Sequence, residues 1–119
     1  MRKIETLMNE AITDGKNFRL ANTEVVSEVG IDSRISTVLL HGHKIAEVGT
    51  SITSATKPFI RLFDGGHRTA TTKSRLNAVL RTHGEPGDKV FQKDFEWFVT
   101  LNCAERGLDT VPFFSSMRV

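Results

Sequence analysis

The stretch DGGHRTATTKSRLN at residues 64–77 carries the most concentrated chemistry of the 119-residue chain. It opens an interval, residues 65–84, that has no acidic residue but holds Arg68, Lys73, Arg75, Arg81, His67 and His83. A glycine pair followed by threonines at a helix start offers backbone N–H groups and hydroxyls to an anion, and nearby cations supply charge. Thr71 or Thr72 is a natural N-cap, which puts Lys73 and Arg75 in the first helical turn. Cations there oppose the helix dipole at about 0.3–1 kcal/mol each when exposed, and a bound phosphate would reverse that sign. The segment thus reads as an anion site built from Thr71, Thr72, Lys73 and Arg75, with Arg68 and Arg61 lending charge. It also reads as a plain capped helix whose cations pair with Asp64, Glu85 or Asp88. It lacks the GxxxxGK[ST] spacing of a P-loop.

Other constellations are weaker. Phe59, Arg61 and Phe63 share one strand face by period-two alternation, a stripe that can stack bases or pack beneath a helix. His41 and His43 resemble a metal pair, but Gly42 between them reads as part of a turn, and no Cys or carboxylate stands at a matching spacing. Cys103 has no cation near it in sequence to lower its thiol pKa. Asp64, Asp88, Asp94 and Glu96 form no evident acid–base couple. The expectation is a non-catalytic protein without cofactor or metal.

Elements must position these residues. Ile4, Leu7, Met8 and Ala11 recur at helical spacing, with Lys3, Glu5, Asn9 and Glu10 opposite and Gly15 as the stop. Residues 18–63 change to a β pattern. A turn is expected at residues 30–33, and a hairpin turn at Gly42-His43 between strands 37–41 and 44–48. Residues 49–57 read as a Ser/Thr-rich loop, and residues 59–63 as a strand covered on both faces. A second helix buries Leu76, Val79 and Leu80 and ends at Gly84. Pro86-Gly87 reads as a turn. Strands 90–92 and 95–100 flank a tight turn at Lys93-Asp94, and a final strand spans 111–114 after a polar loop at 103–109. The pattern predicts an α+β fold, a largely antiparallel sheet of about five to seven strands with two helices packed against it. Without repeats or a linker, residues 1–119 read as a single domain.

Composition bounds the rest. A net charge of +2 is too small to diagnose a nucleic-acid binder. No apolar run approaches the ~18 residues of a membrane span, and Met1-Arg2-Lys3 leads straight into an amphipathic segment, so neither membrane nor secretory leader is expected. One cysteine cannot build a disulfide framework, which points to a reducing compartment.

Three runs together carry a resemblance: LLHGHKIAEV at 39–48, FDGGHRTATTKSRLNAVL at 63–80 and FQKDFEWFV at 91–99. The chain resembles, over about residues 20–117, a group of small accessory proteins of tailed bacteriophages with no assigned activity. Their order is similarly a G-x-x-I-A strand, a DGG-x-x-T-x-TTK-x-R-L-N segment and a hairpin containing Trp. His67 departs from the aromatic residue, commonly Trp, that the resemblance implies there. The resemblance implies expression in the cytoplasm of an infected bacterial host cell.

Two functions follow as expectations. One is a binding module for a phosphate-bearing ligand, nucleotide or nucleic acid, at the basic 64–81 segment. The alternative is a protein-interaction module that binds a host protein or forms a homo-oligomer.

Overall fold

The computed structural model describes residues 1–52, 58–103 and 105–119. Their order is α1 (Lys3–Asp14), β1 (Phe18–Leu20), β2 (Thr23–Val29), β3 (Ser33–Leu40), β4 (His43–Ser51), β5 (Phe59–Leu62), α2 (Ala70–His83), β6 (Lys89–Lys93), β7 (Glu96–Cys103), β8 (Gly107–Pro112) and β9 (Met117–Arg118). A six-stranded sheet runs β1-β2-β3-β4-β5-β9, and a three-stranded sheet runs β6-β7-β8. Every pairing is antiparallel. The fold is α+β as the pattern predicts, with the described strands numbering nine and divided between two sheets rather than five to seven in one.

Alternation along the strands decides the layers. Val25, Val38, Ala46, Val48, Ile60 and Leu62 point from the large sheet toward both helices and join Met8, Ile12, Leu76, Val79 and Leu80 in one buried cluster. Val90, Trp97 and Val99 of the small sheet complete it. The small sheet is tied to α2 by Asn77, whose amide nitrogen donates to Val90 O at 2.9 Å and whose oxygen accepts from Val90 N at 2.7 Å.

Hairpin turns fall one residue from their expected places. The β3–β4 turn is His41-Gly42, with φ of 52° and 79°, and the β6–β7 turn is Asp94-Phe95, at 52° and 67°. Two successive positive φ values are the type I′ signature that matches strand twist, and here the non-glycine residues His41, Asp94 and Phe95 adopt them beside Gly42. β4 continues through Ser51, which shortens the expected 49–57 loop; its residues 53–57 lie outside the described ones. β8 likewise occupies much of the expected 103–109 loop and ends the strand placed at 111–114. β5 is covered by helices on one face only, so Phe59 and Phe63 lie half-buried on the outer face of the sheet.

The largest departure concerns α1. Met8, Ala11 and Ile12 are buried, but so are Glu5 and Asn9. Asn9 Nδ2 donates to Ala78 O and Thr82 Oγ1 on α2. Glu5 Oε2 accepts from Arg75 Nη1 at 2.8 Å, in an ion pair whose side chains are both 4% exposed. Arg75 also donates from Nε to Thr23 Oγ1 at 3.0 Å and from Nη2 to Asn22 Oδ1. Ser74 Oγ donates to the same Glu5 oxygen. Burial alone would raise the Glu5 carboxyl. Hydrogen bonds from Ser74, Arg75 and the Arg2 amide, with the charge of Arg75, outweigh it and hold the group below its ordinary value.

Removing one partner leaves the other charge buried alone, so Arg75→Ala should cost about 3–5 kcal/mol in urea unfolding. Because Glu5 binds its proton more weakly folded than unfolded, its contribution is complete above about pH 5 and is lost as acid protonates the folded state. His83, held below its ordinary value by burial, acts in the same direction at higher pH, since the unfolded imidazole takes up a proton first. Urea midpoints should therefore fall in two stages, below about pH 6.5 and again below about pH 4. His83→Gln should remove the first stage alone.

Candidate functional site

The N-terminus of α2 is set by Thr69, not by Thr71 or Thr72. Thr69 is extended at φ −106° and ψ 164°, and its Oγ1 accepts from Thr72 N at 3.1 Å. Thr72 is buried, and its hydroxyl lies 3.0 Å from that of Thr69 and 3.3 Å from His67 O. Lys73 consequently closes the first turn and Arg75 belongs to the second. Thr72 N is taken by the cap, while the Ala70 and Thr71 amides have no acceptor among the described residues. No acidic residue stands in that first turn.

Thr69, Thr71 and Thr72 border a cleft of about 250 Å³, lined also by Leu40, His41, His43, Ile45, Asp64, Gly65 and His67. The β3–β4 turn brings His41 and His43 to one wall. The His43 and His67 rings meet edge-on with centroids 6.4 Å apart. Asp64 is the acidic residue at the rim, and its oxygens are already engaged. Oδ1 accepts from Gly66 N at 2.8 Å and Oδ2 from Arg68 Nε at 3.3 Å. The lining thus brings together three threonines, three imidazoles and one carboxylate.

The six residues expected to form the anion site do not converge. Thr71 and Thr72 line the cleft. Arg68 turns toward the small sheet, its Cζ 5.1 Å from the Phe113 ring centre and 5.8 Å from that of Trp97. Lys73 reaches Gln92 on β6, with Nζ 3.4 Å from Oε1. Arg75 is the buried partner of Glu5 and is closed to any ligand. Arg61 stands exposed on the outer face of the large sheet, with Glu47 and Arg118 as its cross-strand neighbours. The pairing of the run's cations with Asp64, Glu85 or Asp88 holds for Arg68, which pairs with Asp64.

Sequence reasoning weighed His41 and His43 only as a metal pair and did not place them in the cleft. Their membership depends on the hairpin turn meeting the DGG segment, a contact without a local signature. Among the described residues, no group of three or more His, Cys, Asp or Glu is placed to hold a metal ion, and no helix is long and apolar enough to cross a membrane.

The cap is a testable part of this geometry. Thr69→Ala should destabilise the protein by about 1 kcal/mol in urea unfolding, whereas Thr69→Ser should keep the bond and most of the stability.

Comparison with known proteins gives one assignment. The family model of the Kyanoviridae Gp96 protein, a phage family, matches residues 1–119, and the chain belongs to that family. No curated protein and no solved structure matches.

Proposed function

We propose that this member of the Kyanoviridae Gp96 family, a phage accessory protein, is a non-catalytic binding module that takes one phosphate of a phosphate-bearing ligand into the cleft at the start of α2. The observation that supports this reading is that Thr71, whose amide has no acceptor among the described residues, lines the cleft together with three imidazoles, with Ala70 next to it at the helix start. Backbone N–H groups at a helix start favour anions twice over, through their hydrogen bonds and through the dipole. About 250 Å³ suits a phosphate group with part of its attachment better than a whole drug-sized ligand. The sequence-based ligand set is thereby revised. Thr71 and Thr72 remain, His41, His43 and His67 join them, and Lys73, Arg68 and Arg75 serve elsewhere.

A protein partner is the second reading, either a host protein or a second copy of this chain in a homo-oligomer. It is favoured by the exposed apolar side chains Phe95, Leu108 and Phe114, the first almost fully in solvent. A complex stable at high salt and indifferent to phosphate would support it.

Titration with inorganic phosphate, followed by the backbone amide signals of Ala70 and Thr71, tests the first reading. Those signals should move saturably, and His43→Ala should weaken the response about ten-fold, the cost of one hydrogen bond to a charged group. Amides that stay fixed throughout would refute the cleft as an anion site.

A further inference from the structure

We infer that the phosphate-bearing ligand is single-stranded nucleic acid, which leaves the cleft along the outer face of β4, β5 and β9, with bases stacked on Phe63 and Phe59 and the backbone held by Lys44, Arg61 and Arg118. This rests on the cleft reading for the phosphate at one end and adds a surface with its own observations.

The outer face of the large sheet carries different charge sets on its two sides. On the β1–β2 side it presents Glu24 and Glu28, opposite Leu39 and Ile35 of β3, with Arg19 across from Glu24. On the β4–β5–β9 side it presents Lys44, Arg61 and Arg118, with Glu47 as the opposing charge. Lys44 pairs with Glu47 at 3.2 Å. Arg61 and Arg118 have no ion-pair partner among the described residues, although they are cross-strand neighbours of the same sign. Like charges directly opposite on a sheet face destabilise the free protein, and a polyanion laid between them would relieve the repulsion.

The aromatics on this half are arranged as stacking surfaces. Lys44 Nζ lies 4.5 Å from the Phe63 ring centre, and Arg118 Cζ lies 5.3 Å from that of Phe59. Phe59 lies across Gly49, its cross-strand partner. A Cβ at Gly49 would come within 2.0 Å of the ring, so glycine is what lets the ring settle on the sheet. Phe59 and Phe63 share a face four residues apart, about 13 Å along the strand. Each cation lies over its ring, so a base stacks there by displacing Lys44 or Arg118, which is then free to turn to the adjoining phosphate, a combination suited to single strands because their bases are free to stack. Lys44 follows His43 of the cleft wall and Phe63 precedes Asp64 at its rim, so a strand leaving the cleft reaches the outer face by turning over the end of the sheet between these neighbours.

Fluorescence anisotropy with a labelled oligothymidylate of about 15 nucleotides tests the assignment. Three phosphate contacts predict a slope of about −2 for log affinity against log salt concentration. Arg61→Glu, at an exposed position, and Phe63→Leu should each weaken binding about ten-fold or more. Arg61→Glu should leave the phosphate response of the Ala70 and Thr71 amides intact, which also shows that the variant is folded. Full affinity in both variants, or equal affinity for a duplex of the same length, would overturn the stacking surface. If phosphate moves the amides but the oligonucleotide does not bind, this inference fails and the cleft stands. If neither acts, both fail.

Discussion

The Glu5–Arg75 ion pair is the constraint on which the arrangement depends. It joins α1 to α2 and, through Thr23 and Asn22, joins both helices to the start of β2. Taking two charges out of water is expensive, and apolar groups of equal volume often do as well for stability. What the pair fixes is orientation. With Arg75 turned inward, Thr71, four residues earlier on the same helix, is presented near the β3–β4 turn. The start of α2 then stands beside the histidines, with Thr71 half-buried and Thr69 and Ala70 exposed.

How much of this the sequence made legible follows from how local each signal is. The stripe of Leu76, Val79 and Leu80 with Gly84 beyond it marks α2 within a few residues, because helical period and terminator lie side by side in the chain. Hairpins were legible as hairpins, but their turns were displaced by one position. His41 and Phe95 take positive φ values that residue preference assigns more readily to glycine, asparagine or aspartate. The buried face of α1 was legible only in its apolar part, Met8 and Ala11. Glu5 and Asn9 read as solvent-facing until their partners arrive from about seventy residues away.

The candidate site failed to be legible for a related reason. Basic residues close in sequence invite reading as one cluster. Positions two apart on a helix point to nearly opposite sides, so Lys73 and Arg75 cannot serve one ligand from neighbouring directions. Arg68, just before the helix, is drawn to the rings of Trp97 and Phe113. The charge count of the segment was correct, and its geometry dispersed the charge over three surroundings. The anion site we propose draws instead on the backbone at the helix start, on His67 and on the imidazoles of His41 and His43 from a distant hairpin. Membership of the Kyanoviridae Gp96 family gives the chain a phage context without prescribing any of these roles.

The Asn77 clamp on Val90 has a consequence for association. A side-chain amide carries one donor and one acceptor in the geometry of a peptide group, so Asn77 acts toward β6 as a strand one residue long. It consumes the outward backbone valence at Val90, where an incoming strand would otherwise begin to pair. The small sheet is therefore sealed against extension on the helix side, and its opposite border, β8, is where its exposed backbone meets solvent. Growth of the sheet, whether into an ordered assembly or an aggregate, has a direction built into it by one asparagine.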